Sequence, residues 1–530
     1  MTIENQTEQW WKSAVMYQVY PRSFQDSNGD GVGDLRGVLE RLDYLSWLGI
    51  DAIWLNPVMD SPNADWGYDI SNYKAIHPEL GTMADLDELV REGTMRNIRV
   101  ILDLVPNHTS DRHPWFQDAL SSRQARHRDW YVWADGGPDG SPPNNWLSVF
   151  GGDIAWKFHD ATEQWYLHNF LKEQPDLNWW NEDVRRSFDD IIGFWFDRGI
   201  AGFRIDVAHA LVKDRALRDN LPATEEDHPD VRRIGQRAEH NMNRPEVHDV
   251  LKRWRTLADN YDPERILIGE TYVLELEKMA AFYGSGSDEL HLAFNFPFAH
   301  AAFDPAELRP CVESTYELLP TQAWPVWMAS NHDVGRMASR WCDGDEAKTR
   351  CALMILLCLR GTAFLYYGDE IGLPHGNIAE EDLRDPVGKR FWPEGAGRDP
   401  GRTPMQWSAA EHGGFCRDVV KPWLPLGDVA RRNVEEQRGD PGSTLHLTRA
   451  LIALRRSEPD LAHGPYESVD SPEGVWSWKR GRTLQVSVNM TDAEQPFDAP
   501  GSTVLLSTIG NRVGDGTALQ PWEAVLLRVG

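Results

Sequence analysis

Apolar, β-branched runs alternate with helical stretches along most of the chain. After the first run, apolar residues recur at helical spacing from Leu35 to Leu45, which predicts an amphipathic helix. Repeated strand–helix units predict a parallel sheet covered by helices. Eight such units predict closure into a (β/α)8 barrel, the TIM-barrel class of α/β fold. The eight predicted strands are Val15–Pro21, Ile50–Pro57, Ile98–Val105, Ile200–Val207, Ile266–Glu270, Leu290–Pro297, Pro325–Ala329 and Thr362–Tyr367.

Three segments depart from this pattern. The residues from about Asn107 to Asp183 are rich in Gly, Pro, Asn and Trp and are too many for a simple loop, so they predict a subdomain inserted after the third strand. A second polar insertion, about Lys213 to Asn243, follows the fourth strand. From roughly Pro459 short alternating runs predict a small antiparallel β-sandwich. The predicted domains are therefore the barrel at 1–106 and 178–458, the inserted subdomain at 107–177 and the C-terminal sandwich at 459–530.

Composition excludes several classes of partner. The net charge is −28 without a basic run, so a nucleic acid backbone or an anionic membrane surface would be repelled. The longest apolar stretch, Cys351–Leu359, is far shorter than the ~20 residues of a membrane span. Five scattered cysteines and a polar N-terminus predict a cytoplasmic protein with reduced thiols. Composition leaves the oligomeric state open.

Polar side chains cluster where four of the predicted strands end. In a (β/α)8 barrel the carboxyl ends of the strands carry the functional groups. Cleavage of a glycosidic bond requires two carboxyl groups, and Arg204, two residues before the last aspartate of the fourth strand, would keep that carboxylate ionised. Spacing alone does not tell which carboxyl group is the acid. The four strand ends are Asp103–His108, Gly202–Asp206, Gly269–Thr271 and Asn331–Asp333.

Four segments around these strand ends resemble the four signature segments of the α-amylase family of glycoside hydrolases. They are Asp103–His108, Gly202–Asp206 with Val207, Ile268–Thr271 and Ser330–Asp333. Three further segments resemble its α-glucosidase and oligo-1,6-glucosidase branch, and the resemblance covers essentially the whole chain. The three segments are Val19–Phe24, Trp66–Asp69 and Arg402–Trp407.

The resemblance implies a retaining mechanism with three acidic residues. Asp206 would attack the anomeric carbon, Glu270 would protonate the leaving group and then activate water, and Asp333 would brace the distorted sugar ring. The implied substrate is a small α-glucoside or a short oligosaccharide, with transglucosylation as a side reaction.

The resemblance also implies the residues that bind the sugar. Asp69 and Arg402 would pair to close the pocket behind one glucose, which predicts exo-action at chain ends. Val207 would line the pocket floor, where a valine goes with acceptance of α-1,6 bonds and Ala or Thr with α-1,4. The remaining implied roles are stacking by Tyr68, hydroxyl contacts by His108 and His332, pocket walls from Phe150 and Phe170, and orientation of the nucleophile by Arg204.

One acidic loop has the spacing of a hard-cation site. Oxygen ligands at alternate positions around a glycine turn suit Ca²⁺. The loop begins like an EF-hand, but its twelfth position is Gly37 instead of Glu, and an ordinary Asx-rich turn is the alternative. The same loop binds calcium, or sometimes magnesium, in similar enzymes, so a structural Ca²⁺, with Mg²⁺ as the other candidate, is expected. Its predicted ligands are Asp26, Asn28, Asp30, the Val32 carbonyl and Asp34.

Other functions share parts of this pattern. A sucrose-active hydrolase or isomerase of the same family would carry all of these residues. Transporter heavy chains resemble the fold without being glycosidases, but they are membrane-anchored, whereas this chain shows no span and keeps all three acidic residues. A carbohydrate-binding module would not need carboxylates on three barrel strands.

Overall fold

The computed structural model describes residues 9–510 and 518–530. Its centre is one sheet of eight parallel strands. The first strand pairs with the second and the eighth, the third to sixth strands follow the second in order, and the seventh strand pairs with the eighth. Each strand lies within one of the eight predicted runs, so the predicted (β/α)8 barrel is confirmed. The strands are Val15–Val19, Ala52–Leu55, Arg99–Leu104, Gly202–Ile205, Ile266–Gly269, Leu292–Ala293, Val326–Trp327 and Thr362–Tyr366.

Helices cover the outer face of the barrel. The third strand is preceded by a helix that starts with a capping box, in which Thr82 and Asp85 each accept the other's backbone N–H. The outer helices are Leu35–Glu40, Leu42–Leu48, Met83–Met95, Glu182–Asp197, Val247–Ala258, Leu276–Ala281, Phe296–His300, Pro305–Leu318, Met337–Arg340, Glu346–Cys358, Val434–Gly439 and Thr444–Ser457. Shorter helices span Trp10–Ser13, Pro114–Ser121, Pro229–Ile234, Pro386–Phe391 and Pro459–Ala462. None of the described helices is long and apolar enough to cross a bilayer.

The barrel lumen is filled by alternate residues of the strands. Ile101 and Ile268 belong to an inner cluster, whereas their neighbours Leu102 and Leu267 belong to the core between the strands and the helices. Asp103 faces the same side as Ile101 and pairs in register with Arg204. The lumen therefore changes from apolar to charged at the carboxyl ends of the strands.

The two insertions after the third and fourth strands lie against each other. The first contains a three-stranded antiparallel sheet, and Trp146 of this insertion donates its indole N–H to the Arg218 carbonyl of the second at 2.8 Å. Asn145 likewise donates to the Asn220 carbonyl at 2.9 Å. Together they form one wall above the barrel. The strands of the sheet are Trp133–Ala134, Trp156–His159 and Gln164–Leu167.

The C-terminal part of the chain is antiparallel. A five-stranded sheet packs beside a two-stranded ladder formed by Gln495–Pro496 and Ala518–Leu519, which agrees with the predicted all-β end. The three domain boundaries themselves stay predictions. In spatial order, the five strands are Tyr466–Val469, Val475–Arg480, Leu484–Asn489, Ala524–Arg528 and Thr503–Ser507.

Candidate active site

A single guanidinium group organises the carboxylates at the end of the lumen. Arg204, fully buried, donates from Nη1 to Asp103 at 2.8 Å and to Asp206 at 2.7 Å. Its Nη2 atom lies 2.7 Å from Glu270 Oε2. Asp206 and Glu270 also form a hydrogen bond with each other, so the two carboxyl groups lie closer together than the roughly 6.5–9.5 Å at which inverting glycosidases admit a water molecule.

The turn after the fourth strand fixes the orientation of Glu270. The Val207 N–H donates to Glu270 Oε2 at 2.8 Å. Val207 has a φ of 36°, a left-handed conformation that costs a β-branched residue energy and that clusters at functional sites. The strained backbone therefore aims an amide at the carboxylate, and the surrounding packing holds it there.

Burial raises the pKa values of the two central carboxyl groups, Asp206 and Glu270, and Arg204 opposes burial at both. The charge of Glu270 raises the pKa of Asp206 further, whereas the hydrogen bond with Asp206 lowers the pKa of Glu270. Because the two groups repel each other when both are charged, they bind protons in coupled steps. The pair can therefore hold one proton at a pH where an exposed carboxyl group has lost its own.

Asp333 has the opposite environment. Burial alone would raise its pKa, but His332, Arg398 and Arg402 outweigh burial and hold the pKa below its usual range. Its Oδ1 atom accepts from Arg402 at 3.0 Å and from Arg398 at 3.2 Å, and Oδ2 lies 3.1 Å from His332 Nε2. Asp333 is therefore ionised at neutral pH, beside a pair that retains a proton.

Tyr68 connects these groups through its hydroxyl. The hydroxyl donates to Asp103 at 3.0 Å, accepts from Asn56 at 2.8 Å and lies 2.6 Å from His332 Nε2. The rings of Tyr68 and His332 stack with centroids 5.3 Å apart. Gln18 donates to His332 Nδ1 at 2.9 Å, which leaves the ring proton on Nε2, facing Asp333.

The predicted pair of Asp69 and Arg402 is wrong. The Asp69 carboxylate turns back into its own loop, where it accepts from the Ser61 hydroxyl and from the N–H groups of Ala64 and Asp65, each at 2.9 Å. Arg402 instead bonds Asp333 and the His332 carbonyl. Asp69 is completely buried. A buried carboxylate needs hydrogen-bond donors, and three groups of its own loop supply them.

A different acidic residue and a different arginine form an ion pair beside the cavity. Arg398 Nη2 donates to Asp65 at 2.6 Å and to Asp385 at 2.7 Å, while its Nη1 reaches Asp333. Both Asp65 and Arg398 line the cavity that contains the carboxylates. Sequence reasoning missed both residues, which lie four positions before Asp69 and Arg402 and just outside the two segments Trp66–Asp69 and Arg402–Trp407.

The cavity above the carboxylates has a volume of about 1120 Å³. All three predicted acidic residues line it, whereas Arg204, His332 and Arg402 lie behind its surface and are at most 1% exposed. The other predicted binding residues that line it are Tyr68, His108, Phe150, Phe170 and Val207.

The inserted subdomain supplies a wall of the cavity and a buried support. Gln174 lies 3.0 Å from His108 Nε2, which is itself 2.9 Å from the Tyr68 carbonyl. Burial lowers the pKa of His108 to about 4, so its ring is neutral at pH 7. Below it, Lys213 contacts Asn107 at 2.5 Å and Asp176 at 2.8 Å. Gln174 and Lys213 carry no signal in their local sequence and were not predicted.

The side-chain oxygens of the acidic loop near the N-terminus accept hydrogen bonds from the loop itself. Asp26 accepts from the N–H groups of Gly29 and Gly31 at 2.6 and 2.9 Å, and both glycines have positive φ. Asp34 accepts from Ser27 and Gly37. The candidate ligands of the loop are all oxygen atoms, which is the ligand type that a hard cation prefers.

Comparison with known proteins identifies the family. Residues 18–464 match the catalytic-domain model of the α-amylase family, and the chain therefore belongs to this family of glycoside hydrolases. A probable α-glucosidase of Rhizobium meliloti is 43% identical over 474 residues, covering 87% of this chain and 85% of that protein. The oligo-1,6-glucosidase of Heyndrickxia coagulans is 36% identical and covers 98% and 99%.

Solved structures give the same fold. An α-glucosyl transfer enzyme, XgtA, superposes with a TM-score of 0.91 at 38% identity and covers 98% of this chain and 99% of its own. The isomaltulose synthase SmuA of Protaminobacter rubrum superposes with a TM-score of 0.90 at 32% identity, with the same coverage. The chain is thus similar both to hydrolases and to enzymes whose names describe glucosyl transfer or isomerisation.

Proposed function

We propose that this protein is a retaining α-glucosidase that removes single terminal glucose units from short α-glucosides. The observation that carries the proposal is the arrangement of Asp206 and Glu270 on one guanidinium, in a cavity closed by Arg398. A close carboxylate pair supports retention, and a closed pocket supports exo-action.

The proposed reaction has two displacement steps. Arg204 occupies Oδ1 of Asp206, which leaves Oδ2 to attack the anomeric carbon. A bond forms between Oδ2 and that carbon while the glycosidic bond breaks, and Glu270 gives its proton to the departing oxygen. Water then attacks the same carbon, Glu270 accepts a proton from the water, and Asp206 is released as a carboxylate.

The remaining residues are proposed to hold the terminal glucose. Asp333 stays ionised and can accept hydroxyl protons while its charge stabilises the oxocarbenium-like transition state. His108 borders the sugar as a neutral ring, and Tyr68 offers its face for stacking.

Pocket closure is proposed to come from Arg398 and not from the predicted pair. Because Arg398 joins Asp65, Asp385 and Asp333, it bridges separate chain segments beside the cavity. A chain of glucose units could not pass this bridge, so only a terminal unit would enter. This arrangement favours short substrates over starch.

The preferred glycosidic linkage and the acceptor of the glucosyl group are proposed from Val207 and from the similar enzymes. Val207 borders the cavity, which supports acceptance of α-1,6 bonds. The similarity to isomaltulose and trehalulose synthases keeps sucrose as a second candidate substrate, with glucosyl transfer competing with hydrolysis.

The acidic loop near the N-terminus is proposed to hold a structural cation. We propose that Asp26, Asn28, Asp30, Val32 and Asp34 hold Ca²⁺, or Mg²⁺, which would supply positive charge to a loop with three carboxylates.

The protein is proposed to be cytoplasmic. This location is supported by five unpaired cysteines, all within the described chain.

Product analysis tests the proposal. Maltose, isomaltose, sucrose, maltotriose and soluble starch are digested side by side, with Asp206→Asn as the inactive control, and early products are followed by proton NMR. We expect α-glucose as the first anomer and slow attack on starch. Initial β-glucose would contradict retention, and rapid loss of iodine colour from starch would contradict exo-action.

A further inference from the structure

Three potential metal ligands converge at the mouth of the cavity, apart from the residues of the proposed reaction. His228 and Asp230 belong to the insertion after the fourth strand, and His300 ends a helix after the sixth strand. One ligand atom from each residue lies within 4.8 Å of the other two. All three side chains are partly exposed, so a small ion could reach them from solvent.

A tyrosine hydroxyl lies at the centre of this cluster. Tyr272, in the loop after the fifth strand, donates to Asp230 Oδ2 at 2.6 Å and lies 3.1 Å from His300 Nε2. His228 Nδ1 lies 3.6 Å from the same Asp230 oxygen. The rings of His228 and His300 meet edge to face, at 72° and with centroids 5.4 Å apart, so the two imidazoles are in contact.

The donor set suits a transition metal better than a hard cation. Two imidazole nitrogens and one carboxylate oxygen are common ligands of Zn²⁺, whereas Ca²⁺ and Mg²⁺ prefer oxygen alone. The three residues bring this mixed set of nitrogen and oxygen ligands within 4.8 Å of one another.

We propose that His228, Asp230 and His300 bind a divalent transition metal, with Zn²⁺ as the representative ion. When the metal binds, the Tyr272 hydroxyl either becomes a further ligand or moves out of the site. The ion would take over the position in which the phenol hydroxyl now joins Asp230 and His300. Rotation of the side chains would have to bring the three ligand atoms, which lie within 4.8 Å of one another, to the ~2.0–2.1 Å metal distances that zinc requires.

The position of this cluster links metal binding to the activity of the enzyme. Asp230, His300 and Tyr272 line the same cavity as Asp206 and Glu270. A bound ion would narrow this cavity and would tie the insertion to the barrel, so Zn²⁺ should inhibit the enzyme reversibly and raise its melting temperature.

A hydrogen-bonded cluster without metal affinity is the alternative. Tyr272 satisfies Asp230 and His300 in the described structure, and Arg233 lies 3.8 Å from Asp230. This alternative predicts that the cluster stabilises the loop but that Zn²⁺ binds no better there than at any other surface histidine.

The test is a zinc titration of the full-length protein by calorimetry. Metal is first removed with a chelator, and excess Mg²⁺ and Ca²⁺ are then added to occupy the acidic loop. We expect one equivalent of Zn²⁺ to bind, with an affinity at least tenfold weaker in His300→Gln and in His228→Gln. His446→Gln, a surface histidine on the helix Thr444–Ser457, is the matched control and should bind as the wild type does.

Two further measurements keep the proposal open to refutation. Co²⁺ replaces Zn²⁺ and should give visible absorption of a nitrogen-ligated site, which Asp230→Asn removes. Zn²⁺ should inhibit hydrolysis by the wild type and the His446→Gln variant alike, and inhibit the His300→Gln variant at least tenfold less. Equal zinc affinity in the wild type and in the folded His228→Gln variant, together with an unchanged cobalt spectrum in Asp230→Asn, would overturn the proposal.

Discussion

Replacement of Arg398 by leucine should damage both stability and catalysis. The guanidinium of Arg398 contacts three carboxylates, of which Asp385 and Asp65 have side chains that are 0% and 3% exposed. Leucine keeps part of the volume but leaves these two acids without their cation. Arg402 remains beside Asp333, so the loss at that third carboxylate is partly compensated.

The expected size follows from burial. Removal of one partner from a buried ion pair costs about 3–5 kcal/mol because the remaining charge is uncompensated. Protonation of Asp65 recovers part of this, and we expect a loss of about 3 kcal/mol in the free energy of unfolding at pH 7. If the same bridge positions the glucose, kcat/KM for maltose should fall by roughly 100-fold, which corresponds to about 3 kcal/mol.

A second arginine provides the matched control. Arg390 pairs with Asp153 at the rim, where the two side chains are 41% and 65% exposed. Such surface pairs contribute about 0–1 kcal/mol, so Arg390→Leu should leave the unfolding free energy nearly unchanged.

Urea unfolding and steady-state kinetics on maltose measure both effects. The reasoning fails if Arg398→Leu unfolds within 1 kcal/mol of the wild type and keeps kcat/KM within about threefold, because the bridge would then carry neither stability nor substrate.

Three further predictions follow from individual residues. Burial raises the pKa of Asp69 to about 6, so the folded state keeps a proton that the unfolded state loses above about pH 4. Its contribution to the unfolding free energy should therefore fall as pH rises from 4 to 6, by up to about 3 kcal/mol, and urea melts of Asp69→Asn should lack this slope. Val207→Ala should lower the ratio of kcat/KM for isomaltose to that for maltose by about 1–3 kcal/mol in free-energy terms, and an unchanged ratio would remove Val207 as a determinant of linkage. Excess chelator should lower the melting temperature, with Ca²⁺ restoring it, and a flat response with no metal by elemental analysis would exclude the ion at Asp26 and Asp34.

The barrel could be predicted because its strands are buried on both faces. The strand Thr362–Tyr366 is buried at every position and is apolar or aromatic at all positions except Thr362. The segments between the strands carry apolar residues at the spacing of an amphipathic helix. The same regularity marks Asp206 and Glu270, since a charged residue at the end of an apolar strand stands out in the sequence.

The contacts within the site could not be predicted with the same success. Asp65 lies four residues before Asp69, and Arg398 lies four residues before Arg402, so the sequence offers four possible pairings and does not choose among them. The backbone decides among them, because the turn at residues 61–65 directs its amide groups at Asp69 and leaves Asp65 for Arg398. Likewise, His228 and His300 are 72 positions apart, and only the packing of the insertion against the barrel brings them together.

Identification of the residue that forms the covalent intermediate tests the central claim most directly. A fluorinated glucosyl fluoride, which forms the intermediate faster than water can release it, is incubated with the enzyme, and the labelled peptide is sequenced by mass spectrometry. We predict one sugar per chain, attached to Asp206, with no labelling of Asp206→Asn. A label on Glu270 or Asp333, or turnover with inversion and no covalent label, would contradict the assignment of Asp206 as the nucleophile.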